Sequence, residues 1–337
     1  YLAALYTEIF LDRRANDQNA FVSDSSGNVA DQNALLSYAA QYPRFTPDDL
    51  NKIAYWMATG SGKTLLLHVN YHQFLRYQRD PGDNLLLITP NEGLSAQHLE
   101  ELRLSSVPAR PFLAGDPPIG QPHTLRVIEI TKITEEKTGE GVSVDVEAFE
   151  GRNLLFVDEG HKGSGGEAWK RLRDKLGMNG FTFEYSATFG QAINIARNRD
   201  LLAEYSKAII FDYSYKYFHG DGYGKEYQVI NLREDRADDL TDTLLTANLL
   251  AFYEQARLFQ DRAAQLKPYT LEPPLWIFIG SSVNAVYTRN KQKRSDVLRV
   301  ALFLDRALRN RDNWTVNTIA AILAGRAELQ DEHRRDL

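Results

Sequence analysis

Residues 52–79, KIAYWMATGSGKTLLLHVNYHQFLRYQR, constrain the fold more than any other stretch. An apolar, β-branched and aromatic run is cut by glycines and followed by a helix-forming run, so the order is strand, tight loop, helix. Gly60 and Gly62 accept backbone angles that other residues resist, which lets successive amide N–H groups turn inward around an anion. The helix that opens at Lys63 points its positive end at the same spot. Lys63 adds a mobile charge suited to the outer phosphates of a nucleotide, and the Thr64 hydroxyl is suited to Mg²⁺. Thr59, Gly60, Ser61, Gly62, Lys63 and Thr64 are therefore the candidate phosphate-binding residues. The string departs from strict G-x-x-x-x-G-K-[ST] because position 57 is Met. GKT in its strand–loop–helix context outweighs an ordinary glycine turn.

The same alternation continues along the chain. NLLLIT (84–89), LRVIEI (125–130), NLLFVD (153–158) and FTFEYSAT (181–188) read as strands. EGLSAQHLEELRL (92–104) and GEAWKRLRDKL (166–176) read as helices. Strands apolar on both faces and separated by helices predict an α/β fold, a parallel sheet with helices on both faces. Ahead of it, YLAALYTEIFLDRR is helical and DSSGNVADQN is turn-rich. KAIIFDYSYKYF and KEYQVINL read as two strands around the turn HGDGYG. A long amphipathic helix then spans about Leu240 to Leu266, KPYTLEPP (267–274) is a stiff linker, LWIFIG (275–280) opens a new strand, and RSDVLRVALFLDRALRN (294–310) is helical with Ser295 placed to cap it. The expected organisation is a helical lead-in over 1–50, a nucleotide-binding domain over 51–225, a connector over 226–274 and the beginning of a second domain over 275–337. A start at Tyr1, inside what reads as a helix, is expected of a piece of a longer protein.

With 337 residues the chain is long enough for about two domains. No apolar run approaches the ~18 residues of a membrane span, and there is no basic-then-apolar leader. Cysteine is absent, which removes disulfide frameworks and thiolate metal sites. A cytoplasmic protein without membrane contact is the expectation. The net charge of -6 speaks against binding nucleic acid through a broad basic surface, but not against holding a backbone through a few amides and side chains.

In LLFVDEGHK (154–162) a second apolar strand delivers Asp158 and Glu159 to its C-terminal end, where open α/β sheets bind ligands. Asp158 is suited to hold Mg²⁺ opposite Thr64, and Glu159 to orient and deprotonate an attacking water. ATGSGKT, DEGH and SAT (Ser186-Ala187-Thr188), in that order, resemble motifs I, II and III of the superfamily 2 (DEAD/DEAH-like) helicases. ITP with its helix resembles motif Ia, and EITKI (129–133) stands where motif Ib would. WMATGSGKT and PPLWIFIGSSV (273–283) look closest to the motor subunit, Res, of type III restriction enzymes. The resemblance covers roughly 50–283 and implies a RecA-like P-loop NTPase domain followed by a second, incomplete one, with ATP and Mg²⁺ as cofactors and ATP-driven movement on nucleic acid. By motif match, His161 would link the nucleotide site to motif III, Ser186 and Thr188 would couple hydrolysis to strand movement, and Thr89, Pro90 and Thr131 would lie near the nucleic-acid backbone. Gly160 stands where other branches carry Ala or Pro. The implied partner is nucleic acid, double-stranded DNA first, with a methyltransferase or specificity subunit to supply base reading.

Such motors also use a Gln-x-x-Gly-Arg-x-x-Arg element from the second domain. AILAGRAELQ (321–330) has Gly325-Arg326 without the flanking Gln and Arg, and reads as a helix end. An arginine finger contributes orders of magnitude in rate, so weak hydrolysis by this chain alone is expected. Neither an adenine-reading glutamine motif nor a nuclease carboxylate cluster is visible. Two other functions remain compatible: an ATP-gated DNA clamp with little turnover, and a P-loop NTPase unrelated to nucleic acid. Several local features read as structural. His68 and His72 are four apart on a helix, but no acidic residue completes a metal set. YSYKYFHGDGYGKEY (213–227) could stack bases, yet reads better as a hairpin or connector with packed aromatics. RNKQKR (289–294) reads as a solvated loop, and KITEEKTGEGVSVD (132–145) as an exposed loop or hairpin.

Overall fold

The computed structural model describes residues 1–37, 41–78, 80–113, 116–117, 119–134, 144–149, 151–159, 167–190, 199–224, 229–232, 239–279, 287–289, 292–294, 296–310, 313–327, 329–331 and 335. They fall into two units, Tyr1–Lys225 and Glu226–Leu337.

The first unit opens with helices α1 (Leu2–Asn16) and α2 (Gln18–Asn33) and a short 3-10 turn, Pro47–Asn51. Then follow β1 (Lys52–Met57), α3 (Lys63–Tyr77), β2 (Asn84–Thr89), α4 (Glu92–Leu104), β3 (Ala109–Pro111), β4 (Leu125–Glu129), β5 (Ile133–Thr134) and β6 (Val144–Asp145). After these come β7 (Asn153–Asp158), α5 (Glu167–Gly177), β8 (Phe181–Ser186), α6 (Arg199–Ala208), β9 (Ile209–Tyr213) and α7 (Tyr215–Gly220). Seven strands make one sheet in the order β3-β4-β2-β7-β8-β1-β9, and every neighbouring pair is parallel. This is the parallel α/β sheet of a RecA-like core.

The continuous apolar strands are explained by burial on both faces. Leu85 and Leu87 of β2 join Ile53, Tyr55, Phe156 and Phe183 in one core layer. Leu86 and Ile88 turn the other way, to Leu155, Val157, Leu172 and Leu176. Buried polar bonds pin α1 and α3 to the sheet beneath the phosphate loop. The Thr7 and Tyr55 hydroxyls lie 2.5 Å apart. Tyr185 donates to Asn70 Oδ1 at 2.7 Å. The Tyr55 and Tyr185 rings stack at 5.1 Å.

A charged cluster is buried where β1 and β8 meet α5 and α6. Glu184 is 0% exposed. Lys52 Nζ lies 2.8 Å and Arg173 Nη1 3.2 Å from Glu184 Oε1, and the Tyr205 hydroxyl donates to Oε2 at 2.7 Å. Lys52 also pairs with Glu204. Burial alone would lower the Arg173 pKa, but the charge of Glu184 and its neighbours more than offsets this and holds it above the ordinary value.

Some local expectations are overturned. DSSGNVADQN is not a turn but the body of α2. Tertiary contacts override its weak propensity: Phe21 packs edge-on against Phe10 at 5.1 Å, and Asp24 takes a bond from Arg13 at 2.7 Å. YKYFHG forms α7, not strand, because Asp212 Oδ1 accepts the Ser214 N–H at 2.9 Å and turns the chain out of β9. The loop-or-hairpin segment 132–145 is flanked by β5 and β6, which pair parallel and so form no hairpin; its residues 135–143 lie outside the described ones.

The second unit contains β10 (Asn231–Leu232), α8 (Asp239–Asp261), α9 (Ala263–Leu266), β11 (Tyr287–Arg289), β12 (Gln292–Arg294), α10 (Asp296–Arg309), α11 (Trp314–Leu323) and β13 (Leu329–Gln330). β10 pairs with β13 and β11 with β12, both antiparallel. The strand expected from Leu275 is not formed over 275–279, which have no regular structure, and Gly280 and Ser295 lie outside the described residues. The parallel sheet expected for a second RecA-like domain is not formed among the described residues of this unit. Gly325 ends α11 with φ +64, and the Arg326 N–H reaches back to Ala321 O at 2.9 Å, so Gly325-Arg326 is a helix stop.

Candidate nucleotide site

The loop between β1 and α3 is built as its glycines require. Gly60 has φ +83 and Gly62 φ +95, a region closed to most side chains. Gly62 is the N-cap of α3, no side chain caps that end, and no acidic residue stands in its first turn. The first N–H groups of α3 and its dipole therefore face an exposed loop, with no capping side chain among the described residues. Thr59, Gly60 and Gly62 are exposed, and Ser61 and Thr64 are half-buried. Ser61 Oγ closes the loop onto Ala58 O at 2.6 Å. Lys63 Nζ folds back to Met57 O at 3.3 Å and Ala58 O at 3.4 Å.

β7 ends at the same edge of the sheet. Lys63 Nζ lies 3.9 Å from Glu159 Oε1. Asp158 Oδ1 accepts the Glu159 N–H at 3.0 Å. Glu159 itself has φ +53, a left-handed conformation that costs a non-glycine residue about 1 kcal/mol or more. Between these two ends stands β8. Ser186 pairs with Trp56 in register; it is buried, and its Oγ accepts the Thr188 N–H at 3.0 Å. Thr188 Oγ1 is buried without a hydrogen-bond partner among the described residues.

One residue at this site carries no sequence motif. His98 of α4 is 3% exposed, and its Nε2–H donates to Asp158 Oδ2 at 2.9 Å. Its Nδ1 is buried without a hydrogen-bond partner among the described residues. The available signal was its position four residues before Leu102, the other buried residue of α4, which marks His98 as facing the sheet.

Of the remaining expected site residues, Thr89 is 1% exposed and its Oγ1 lies 2.6 Å from Ser95 Oγ. Its hydroxyl braces the start of α4. Pro90 is half-buried, and Thr131 is exposed in a 3-10 turn after β4. His161 and Gly160 lie outside the described residues. His68, in line with its structural reading, is buried and hydrogen-bonded to Ser105 at 2.8 Å.

A nucleoside triphosphate with Mg²⁺ fits this set. The uncapped helix end and the left-handed glycines suit phosphate oxygens. Thr64 and Asp158 offer hard oxygen donors. Among the described residues no group of three or more His, Cys, Asp or Glu holds a metal by itself, so a cation here would share its shell with phosphate oxygens, as Mg²⁺ commonly does. No helix of the described residues is long and apolar enough to cross a membrane.

Comparison with known proteins agrees with the motifs. Residues 26–191 match the family described as type III restriction enzyme, res subunit. None of the curated proteins matches. Among solved structures, the chain is similar to the Sulfolobus solfataricus SWI2/SNF2 ATPase core in complex with dsDNA, with 13% identity and TM-score 0.35 over 77% of this chain and 60% of that one. It is also similar to T4 UvsW, with 13% identity and TM-score 0.31 over 70% of this chain and 49% of that one. The chain thus spans less than two thirds of each of those two proteins. The segment that matches the type III restriction enzyme res subunit family holds the loop at 59–64, the Asp158–Glu159 strand end and Ser186–Thr188.

Proposed function

We propose that the chain is the ATP-hydrolysing part of a nucleic-acid translocase, acting on double-stranded DNA within a restriction or phage-defence system. The observation that carries this reading is the convergence of the Gly60–Thr64 loop with Asp158 and Glu159 at one edge of a parallel sheet, with Lys63 Nζ 3.9 Å from Glu159. The loop amides and Lys63 bind and orient the triphosphate, and Thr64 and Asp158 hold Mg²⁺. The metal, when bound, neutralises charge developing on the phosphates. Glu159 orients the attacking water and takes its proton. His98 is a positioning residue: it fixes Asp158 Oδ2. Ser186 at the end of the strand between the two halves of the site, and Thr188 in the turn that follows it, pass the nucleotide state to the rest of the motor, with His161 as the link. Pro90 and Thr131 stand at the strand ends on the nucleic-acid side. A methyltransferase or specificity subunit supplies sequence recognition, and the work is done in the cytoplasm.

The test is steady-state ATP hydrolysis by the protein with and without duplex DNA, beside Lys63→Ala and Glu159→Gln. DNA-stimulated turnover, lost in both variants, is expected. Lys63→Ala should lose binding, whereas Glu159→Gln should bind ATP and fail to hydrolyse it. ATP binding with no DNA-stimulated turnover in the parent protein would replace the motor with an ATP-gated clamp.

A further inference from the structure

The site as described accounts for phosphates and metal but not for the nucleobase. The sheet order says where the base must go. β8 lies on one side of β1 and β9 on the other. Asp158 and Glu159 lie beyond β8, so the phosphate to be cleaved points to that side. A triphosphate so oriented would leave the remainder of the nucleotide on the side of β9.

The chain leaves β9 as a compact aromatic turn pressed against the phosphate loop. Ala58 N–H donates to Tyr213 O at 2.9 Å. A Cβ placed on Gly60 would meet Phe218 Cζ at 4.0 Å. The Phe218 ring packs edge-on to Tyr213 at 5.8 Å and lies 5.7 Å from Tyr223. The turn is hydrogen-bonded within itself. Tyr213 donates its hydroxyl to Asp221 at 2.7 Å, Tyr223 N–H reaches Phe218 O at 3.1 Å, and Gly222 takes φ +85. Nevertheless Tyr223 is 70% exposed, and Tyr215 and Tyr217 are exposed as well. A hydrogen-bonded, solvent-facing π surface beside a phosphate loop is what a base needs for stacking. This segment lies outside the family match, which ends at residue 191.

We infer that the Phe218–Tyr223 aromatic pair is the nucleobase subsite of the phosphate loop, holding a purine by stacking and not by hydrogen-bond readout. The inference rests on the ATP-site reading above and deepens it. Stacking tolerates different bases, so ATP and GTP should bind with similar affinity and CTP more weakly.

The experiment measures displacement of a fluorescent ATP analogue from the full 337-residue chain by ATP and by inorganic tripolyphosphate. Wild type is compared with Phe218→Ala, Tyr223→Ala and Lys63→Ala. ATP affinity is expected to fall about tenfold in the two aromatic variants, with tripolyphosphate affinity unchanged within about twofold. Lys63→Ala should weaken both ligands. Tyr223, on the surface, can be shortened without disturbing the loop, and it decides the matter if Phe218→Ala weakens both ligands together. ATP affinity unchanged in Tyr223→Ala while Lys63→Ala weakens both ligands overturns the base subsite and leaves the phosphate loop standing. If that variant instead loses binding of single-stranded DNA, the aromatics face nucleic acid and the inference is likewise overturned. A wild-type chain that binds neither ATP nor tripolyphosphate overturns the ATP-site reading and this inference with it.

Discussion

Replacing His98 with alanine removes the side-chain bond to Asp158 Oδ2 while leaving Oδ1 with its backbone partner, Glu159 N–H. The bond is 2.9 Å long, and its donor is 3% exposed. A hydrogen bond to a charged group is worth about 1.5–3 kcal/mol. Part of that is present with and without metal and cancels. What remains is orientation of the carboxylate, which for groups behind metal ligands is typically worth about 10- to 100-fold in metal affinity. The expected result is at least a tenfold rise in the Mg²⁺ concentration at the midpoint of metal-dependent nucleotide binding. Metal-free nucleotide affinity should stay within about twofold. His98→Gln, whose amide can still donate, should recover part of the loss. A Mg²⁺ titration of fluorescent-nucleotide binding, with a thermal melt to show that each variant is folded, reads all of this. A folded His98→Ala protein with an unshifted midpoint would refute the positioning role. So would equal loss of metal-free and metal-dependent binding, which is the mark of general damage.

Other consequences follow from buried charge. Glu184→Ala leaves Arg173, 2% exposed at its side chain, and Lys52 without their central partner. Breaking a buried pair costs about 3–5 kcal/mol, or roughly 6–20 °C in Tm for a domain of this size; a drop below about 3 °C by circular dichroism would show that the cluster is not holding charge. His68 has its pKa lowered from 6.5, first by burial and then by His98. Folding therefore favours the neutral ring, and this contribution is full above the ordinary pKa of 6.5 and is lost as pH falls below it toward the depressed value. His68→Gln should flatten the fall of Tm below that pH, and an unchanged slope would exclude His68 as a contributor.

What could be read from the sequence depended on how locally each feature is determined. KIAYWM, NLLLIT and NLLFVD match their strands because two-sided burial demands uninterrupted apolar residues, and that demand is written in the strand itself. The Gly60–Thr64 loop is legible for the same reason: its backbone needs glycine where glycine stands. β3 was not visible, being three residues at a sheet edge ending in Pro111. α2 was hidden because its reason for being helical, Phe21 on Phe10, lies in another helix. His98 and Asp158 are 60 residues apart, and Lys52, Arg173 and Glu184 look like surface residues until the sheet order brings them together. The aromatic turn misled in a different way. Tyrosines and phenylalanine favour strands, but the single bond from Ser214 N–H to Asp212 had already redirected the chain.

The placing of β8 between β1 and β7 has a mechanical consequence. β1 is zipped to β8 from Lys52 to Trp56, and β7 is zipped to β8 from Leu154 to Asp158. Two strand spacings of about 4.8 Å set the gap between the phosphate loop and the acidic strand end, roughly 10 Å between backbones. That gap behaves as a fixed ruler, because sliding either strand would break a run of hydrogen bonds and turn core side chains out of their layers. Among the described residues, the parts of the site free of this constraint lie past the last rung: the long arm of Lys63, the peptide at Glu159 and the Ala187–Thr188 turn. A strand that carries neither the phosphate loop nor the acidic pair thus decides how far apart the two stand.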